Sequence, residues 1–222
     1  DLAVNVERSK RLRAGQTLSQ VTADFASAFG IGHAILPMTD DPVSTRVLTS
    51  DGELDFQHYF VRERCAPAVM GFRFAGIEDA RLNPAIAACL ESPELLGVVL
   101  CPSNPFVSMD PILALPGMLE RLQACQAPVI AVSPVVGGAA IKGPTVKMMA
   151  ELSLTNSAAW VAEHYRAVLD GFVLDVIDEE LLPEIESMGI RVNTTNTVML
   201  TLEDRIALAR HCLRMLESLR GA

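Results

Sequence analysis

Four short apolar runs, 97-GVVLC-101, 128-PVIAVS-133, 171-GFVLD-175 and 190-IRVNT-194, recur between segments of helical periodicity. Each is the length of one strand and too apolar for a strand with one wet face. Strands buried on both faces and joined by helices form a parallel sheet with helices packed against it. The expected fold is therefore α/β, a mostly parallel sheet in a Rossmann-like three-layer sandwich. Helices are expected near 116–125, 145–152, 157–169, 176–189 and 203–219, and in the last of these Ile206, Ala209, Leu213 and Leu216 form one stripe.

Upstream of these units the pattern changes. Residues 2–14 predict a helix stopped by Gly15, and Thr17 predicts the cap of a second, with Leu18, Val21, Phe25 and Phe29 on one face. The run 33-HAILPM-38 reads as a short buried strand. Asp51-Gly52 between 43–50 and 53–60 signals a hairpin, 69-VMGFRFAG-76 resembles an edge strand, and Pro84 opens a further helix. Residues 1–222 are read as a single α/β domain, with 43–92 as a small hairpin and helical insertion or subdomain. Because the chain opens at Asp1 in mid-pattern, the expectation is the C-terminal two thirds of a longer chain.

Composition removes several function classes. Half of the 222 residues are hydrophobic and 20% are charged, a globular mixture. A net charge of −9 argues against a nucleic-acid surface, which is normally basic. No apolar run reaches the ~18 residues of a membrane span, and no signal peptide opens the sequence. The expected partners include neither nucleic acid nor membrane. Five cysteines without a C-x-x-C pair read as reduced thiols in a cytoplasmic protein. His33, His58, His164 and His211 form no ligand-spaced pair, and His164 and His211 read as helix-surface residues.

Ligands of open α/β sheets bind beyond the carboxyl ends of the strands, so the loops that follow the apolar runs carry the chemistry. In 102-PSNPFVSMDP-111, Pro102 and Pro105 stiffen the backbone around Ser103 and Asn104, with Ser108 and Asp110 further along. Such a loop either holds a phosphate, ribose or base edge, or caps the helix that follows. In 133–144, Gly137 and Gly138 let backbone N–H groups approach an anion, and Lys142 adds a charge beside Ser133. The order G-x-x-x-x-G-K-[ST] is missing, and a flexible connector is the plainer reading. Asp40 and Asp41, after Thr39, can bind Mg²⁺ together with substrate phosphates, accept hydrogen bonds from a ring amide or sugar, or form a solvated turn. The loops 175-DVIDEE-180 and 194-TTNT-197 complete the rim. These residues describe a crevice for a phosphorylated small molecule and do not define a reaction.

Taken together, the loops are more specific. The stretches 36-LPMTDDPVST-45, 102-PSNPFVSMDPILALPGM-118, 128-PVIAVSPVVGGAAIKGP-144 and 157-SAAWVAEHYRAVLDGFVLDVID-178 closely resemble the 2-phospho-L-lactate transferase family, and 1-DLAVNVERSKRLRAG-15 fits it too. The resemblance implies a transferase of coenzyme F-420 biosynthesis. Its GDP-linked donor carries a phospholactyl, phosphoenolpyruvyl or phosphoglyceryl group, and its acceptor is the ribityl hydroxyl of 7,8-didemethyl-8-hydroxy-5-deazariboflavin. GMP leaves, and Mg²⁺ is the usual metal. Carried over by position, Ser103, Asn104, Pro105 and Ser108, with Ser133, Gly137, Gly138 and Lys142, would bind the guanine nucleotide donor. Thr39, Asp40 and Asp41 would face the deazaflavin, with Asp40 and Asp41 as catalytic candidates. The family's glycine-rich first strand and loop, and its metal carboxylates, have no counterpart in these 222 residues. The competing expectation is a nucleotide-sugar-binding regulator of the gluconeogenesis factor-like type, without transfer chemistry. A homodimer is the expected assembly.

Overall fold

The computed structural model describes residues 2–140 and 143–221. Local signals set the two N-terminal helices. Helix α1 (Leu2–Arg13) carries Lys10, Arg11 and Arg13 in its last turn, where cations oppose the helix dipole. Helix α2 (Leu18–Ala28) begins at a reciprocal cap: Gln20 N–H donates to Thr17 Oγ1 at 3.2 Å, and Thr17 N–H donates to Gln20 Oε1 at 3.0 Å. Strands β1 (Ser44–Thr49) and β2 (Gly52–Asp55) form the hairpin around Asp51-Gly52, and β3 (Val69–Ala75) pairs antiparallel on the other side of β1. Helix α3 (Pro84–Leu90) starts at a proline, with the Asn83 side chain accepting from Ala85 N–H. The 43–92 region thus contains a separate antiparallel sheet, ordered β2–β1–β3, followed by a helix.

The remaining chain alternates. It runs through β4 (Val98–Leu100), α4 (Asp110–Leu113), α5 (Met118–Ala124), β5 (Val129–Val132) and a small hairpin of β6 (Val135–Val136) and β7 (Ala139–Ala140). Then come α6 (Thr145–Glu151), α7 (Ala158–Tyr165), β8 (Gly171–Asp175), α8 (Leu182–Glu186), β9 (Arg191–Thr195) and α9 (Leu202–Arg220). Strands β4, β5, β8 and β9 pair in that order, all parallel.

The side-chain period of two divides the core between the two faces of this sheet. Ile130, Val132 and Val173 point to α9, which supplies Leu208, Cys212, Met215 and Leu216. Val129, Ala131, Phe172, Leu174 and Val192 point the other way, into side chains from α5, α6, α7 and α8. The result is the three-layer α/β arrangement. Gly171 permits the close approach of α9, because a Cβ there would lie 2.5 Å from Met215 Cε. Val47, Tyr59 and Val69 of the antiparallel region join the second face. Helix α6 fastens that region: Glu151 accepts from Val69 N–H at 3.0 Å, and Lys147 donates to the Pro67 carbonyl at 3.1 Å while pairing with Glu151.

Two expectations are corrected. Residues 33–38 form no strand; Ile35 and Leu36 are 47% and 38% exposed. An apolar run becomes a strand only where a sheet edge satisfies its backbone, and the segment's tether is instead Asn83 N–H donating to the Met38 carbonyl at 2.9 Å. The buried stripe of α9 is Leu208, Cys212, Met215 and Leu216, while Ile206 and Leu213 face outward. Both stripes have helical spacing, and the one that meets Ile130, Val132 and Val173 of the sheet is the core. His164 is exposed, as expected, yet it is held in place: it stacks on Trp160 at 4.8 Å and bonds to Asp110 at 2.7 Å. His211 has its Nε2 buried without a partner among the described residues, and burial, with the nearby Arg214, pushes its pKa down. All five cysteines are free. Among the described residues no helix is long and apolar enough to cross a membrane.

Candidate functional site

A crevice of about 330 Å³ opens at the carboxyl rim of the parallel sheet, where open α/β sheets hold ligands. The loop after β4 contributes Pro102, Ser103, Asn104 and Ser108. Pro134 comes from the loop after β5, Thr145 from the start of α6, and Thr197 and Met199 from the loop after β9.

The β4 loop is rigid because its own side chains hold it. Asn104 Oδ1 accepts from Phe106 N–H at 2.9 Å and Val107 N–H at 3.2 Å, capping a π-helical turn over Pro105–Met109. Its amide donates to Met148 Sδ at 3.4 Å. Below the turn, Phe106 stacks on Phe72 of β3 and meets Trp160 of α7 at a tilt, with centroids 5.4 and 5.5 Å away. Asp110, bonded to His164, fixes the end of the turn. Loop and helix cap are thus one object: Asn104 caps the turn and also walls the crevice. Pro105 is buried and starts the turn. The hydroxyls of Ser103, Ser108 and Thr145 make no hydrogen bond among the described residues. Thr145 is 2% exposed and lines the crevice, so its hydroxyl is free to bond a ligand there.

The β5 loop is committed inward. Ser133 is fully buried; its hydroxyl donates to the Val135 carbonyl at 2.7 Å and accepts from Val135 N–H at 3.2 Å. Gly137 and Gly138 form the two-residue turn of the β6–β7 hairpin with φ of 58° and 71°, where glycine is favoured. Gly137 N–H donates to both oxygens of the buried Asp178 at 3.0 Å. Lys142 lies outside the described residues.

Thr39, Asp40 and Asp41 are not brought into this crevice. Thr39 is buried and accepts from Asp41 N–H at 3.0 Å. Asp40 accepts from Ser19 N–H of α2 at 2.7 Å. Asp41 accepts from Arg81 N–H at 2.9 Å and pairs with its guanidinium, which holds the Asp41 carboxyl below its usual pKa. Among the described residues no three of His, Cys, Asp or Glu gather as a metal site.

The sequence points to the loop that holds Thr197 and to the one that ends just before Thr145, without singling out either residue. A lone threonine after a strand carries no spacing signal, and only its partners reveal it. Thr197 N–H and hydroxyl both donate to the buried Asp175, which ends β8. The crevice therefore offers hydroxyls and one amide on a stiff frame, without a charged side chain among the described lining residues. That chemistry suits a base and ribose better than a bare diphosphate.

Known proteins are similar to this chain in sequence or in fold. A family model for 2-phospho-L-lactate transferase CofD matches residues 1–204. A 2-phospho-L-lactate transferase of Methanosarcina barkeri is 37% identical over 209 residues, covering 94% of this chain and 66% of that protein. A phosphoenolpyruvate transferase of Streptomyces griseus is 35% identical over 226 residues, covering all of this chain and 70% of that one. The chain thus spans about two thirds of the length of these curated relatives. A crystal structure of a UPF0052-family protein from Bacillus halodurans superposes with a TM-score of 0.59 at 9% identity, covering 92% of this chain and 70% of that one, and shares the fold. With nearly the whole sequence matched, the chain belongs to the 2-phospho-L-lactate transferase CofD family.

Proposed function

We propose that this protein acts in coenzyme F-420 biosynthesis, moving a phospho-acid group from a GDP-linked donor to the ribityl hydroxyl of 7,8-didemethyl-8-hydroxy-5-deazariboflavin. The observation that carries the reading is the crevice at the strand ends, where the Ser103 and Ser108 hydroxyls, on a loop that its own contacts immobilise, and the Thr145 hydroxyl at the start of α6 have no hydrogen-bond partner among the described residues. Its neutral lining supports a guanosine portion of the donor there rather than the diphosphate. In the reaction the ribityl oxygen bonds to the phosphorus that carries the acid. The bond from that phosphorus to the bridging oxygen breaks, GMP departs, and the hydroxyl proton is released. Transfers of this kind depend mainly on in-line positioning, which a rigid nucleoside site supplies. Asp40 and Asp41, whose carboxylates accept from Ser19 N–H and Arg81 N–H, are proposed for the acceptor side only through the lone pairs those contacts leave. The working assembly is a homodimer.

The test incubates the intact protein with the deazaflavin and each of three GDP-linked donors, carrying lactate, enolpyruvate or glycerate. Chromatography follows the fluorescent product together with GMP. Equimolar GMP and phosphorylated deazaflavin from at least one donor is the expected result. Binding of both ligands without product would mark a binding protein and overturn the proposal.

A further inference from the structure

The crevice wall holds a second buried threonine whose hydroxyl is in a defined state. Thr197 is 1% exposed. Its N–H and its hydroxyl donate to Asp175 Oδ2 at 2.7 and 3.0 Å, and Ile177 N–H donates to Asp175 Oδ1 at 3.1 Å. Backbone N–H groups only donate, so both carboxylate oxygens of the 2%-exposed Asp175 act as acceptors. A hydroxyl has one proton, and that of Thr197 is spent on Asp175. What its oxygen can offer the crevice is lone pairs alone. Thr145, by contrast, keeps its proton uncommitted among the described residues.

We propose that Thr197, held by Asp175, selects the base of the donor nucleotide. An acceptor-only oxygen matches the N1–H and 2-amino donors of guanine and opposes the N1 lone pair of adenine. Asp175 is the positioning residue, because it fixes both the backbone and the hydroxyl proton of Thr197. The inference rests on the reading that the crevice holds the guanosine of the donor, and it adds the residue that does the reading. Discrimination follows because a base that faces an acceptor with an acceptor leaves both unpaired in a confined site.

Titration calorimetry of the intact protein with GDP, IDP and ADP tests it. The unaltered protein is expected to bind GDP at least about tenfold more tightly than ADP, with IDP between them because it keeps N1–H and lacks the amino group. Thr197→Val keeps the volume and removes the oxygen. It is expected to lower the GDP:ADP affinity ratio about tenfold, whereas Thr197→Ser, which keeps the hydroxyl, retains the ratio. A ratio unchanged in Thr197→Val overturns this inference and leaves the crevice assignment standing. Absence of GDP binding to the unaltered protein overturns both. If Thr197→Val does not fold, N1-methyl-GDP with the unaltered protein decides: binding at least about tenfold weaker than GDP supports the inference, and equal binding overturns it.

Discussion

Asn104 carries two duties that substitution can separate. Its Oδ1 accepts two backbone N–H groups of the Pro105–Met109 turn, at 2.9 and 3.2 Å, and its amide reaches Met148. Asn104→Ala removes both cap bonds, a loss of about 1–2 kcal/mol for such a residue. For a domain of this size each kcal/mol moves Tm by about 2–4 °C, so Tm should fall by about 2–8 °C. Asn104→Asp retains an oxygen at the cap position, and aspartate and asparagine cap almost equally well, so stability should stay within about 0.5 kcal/mol. In the crevice the two variants diverge. The alanine variant loosens the loop, and ordering it again on binding should weaken GDP about tenfold while deazaflavin binding changes little. The aspartate variant keeps the loop ordered but sets a negative charge beside an anionic nucleotide, so it too should bind GDP poorly. Thermal unfolding and GDP calorimetry on both variants settle the matter. An alanine variant with unaltered Tm, or an aspartate variant as unstable as the alanine one, would refute the capping argument.

Three further outcomes are expected. Asp41 has its carboxyl pKa lowered by Arg81, so the stability it adds is present above the ordinary value of 3.8 and is lost as pH falls below it. Asp41→Asn should therefore flatten the decline of Tm below about pH 4, an effect that fades in 1 M salt because the pair lies at the surface. Glu151→Ala leaves the Val69 N–H and the half-buried Lys147 without their carboxylate, which should cost about 1–3 kcal/mol in urea unfolding, with Glu151→Gln recovering part. Gly138→Ala forces a side chain into φ of 71° at the β6–β7 turn, and unfolding experiments should show about 1–2 kcal/mol lost.

Legibility in the sequence divides along a physical line. The parallel sheet was readable because β5 and β8 are buried on both faces, which forces unbroken apolar runs such as 129–132 and 171–174. The caps at Thr17 and Asn83 were readable or nearly so, since a cap depends on residues two or three positions away. The strand expected at 33–38 failed because strand formation needs a partner that local sequence does not contain. The α9 stripe failed for a related reason: two apolar faces compete on one helix, and the sheet face opposite, with Ile130, Val132 and Val173, chooses between them.

The same distinction explains the site. A polar residue after a buried strand can satisfy the backbone beside it or a ligand in front of it, and composition does not say which. Ser133, Gly137 and Asp178 all satisfy neighbouring groups of the protein. Asp40 and Asp41 hold α2 and the Arg81 segment. Thr145, with no partner, and Thr197, with its proton already given to Asp175, are the buried hydroxyls left on the crevice wall. Recognition in this crevice therefore depends on which scaffold bonds have already been made. That is why Asp175→Asn should lower stability by about 1–3 kcal/mol in urea unfolding: both Asp175 oxygens accept backbone N–H groups, from Ile177 and Thr197, so either orientation of the amide sets its NH2 against one of them.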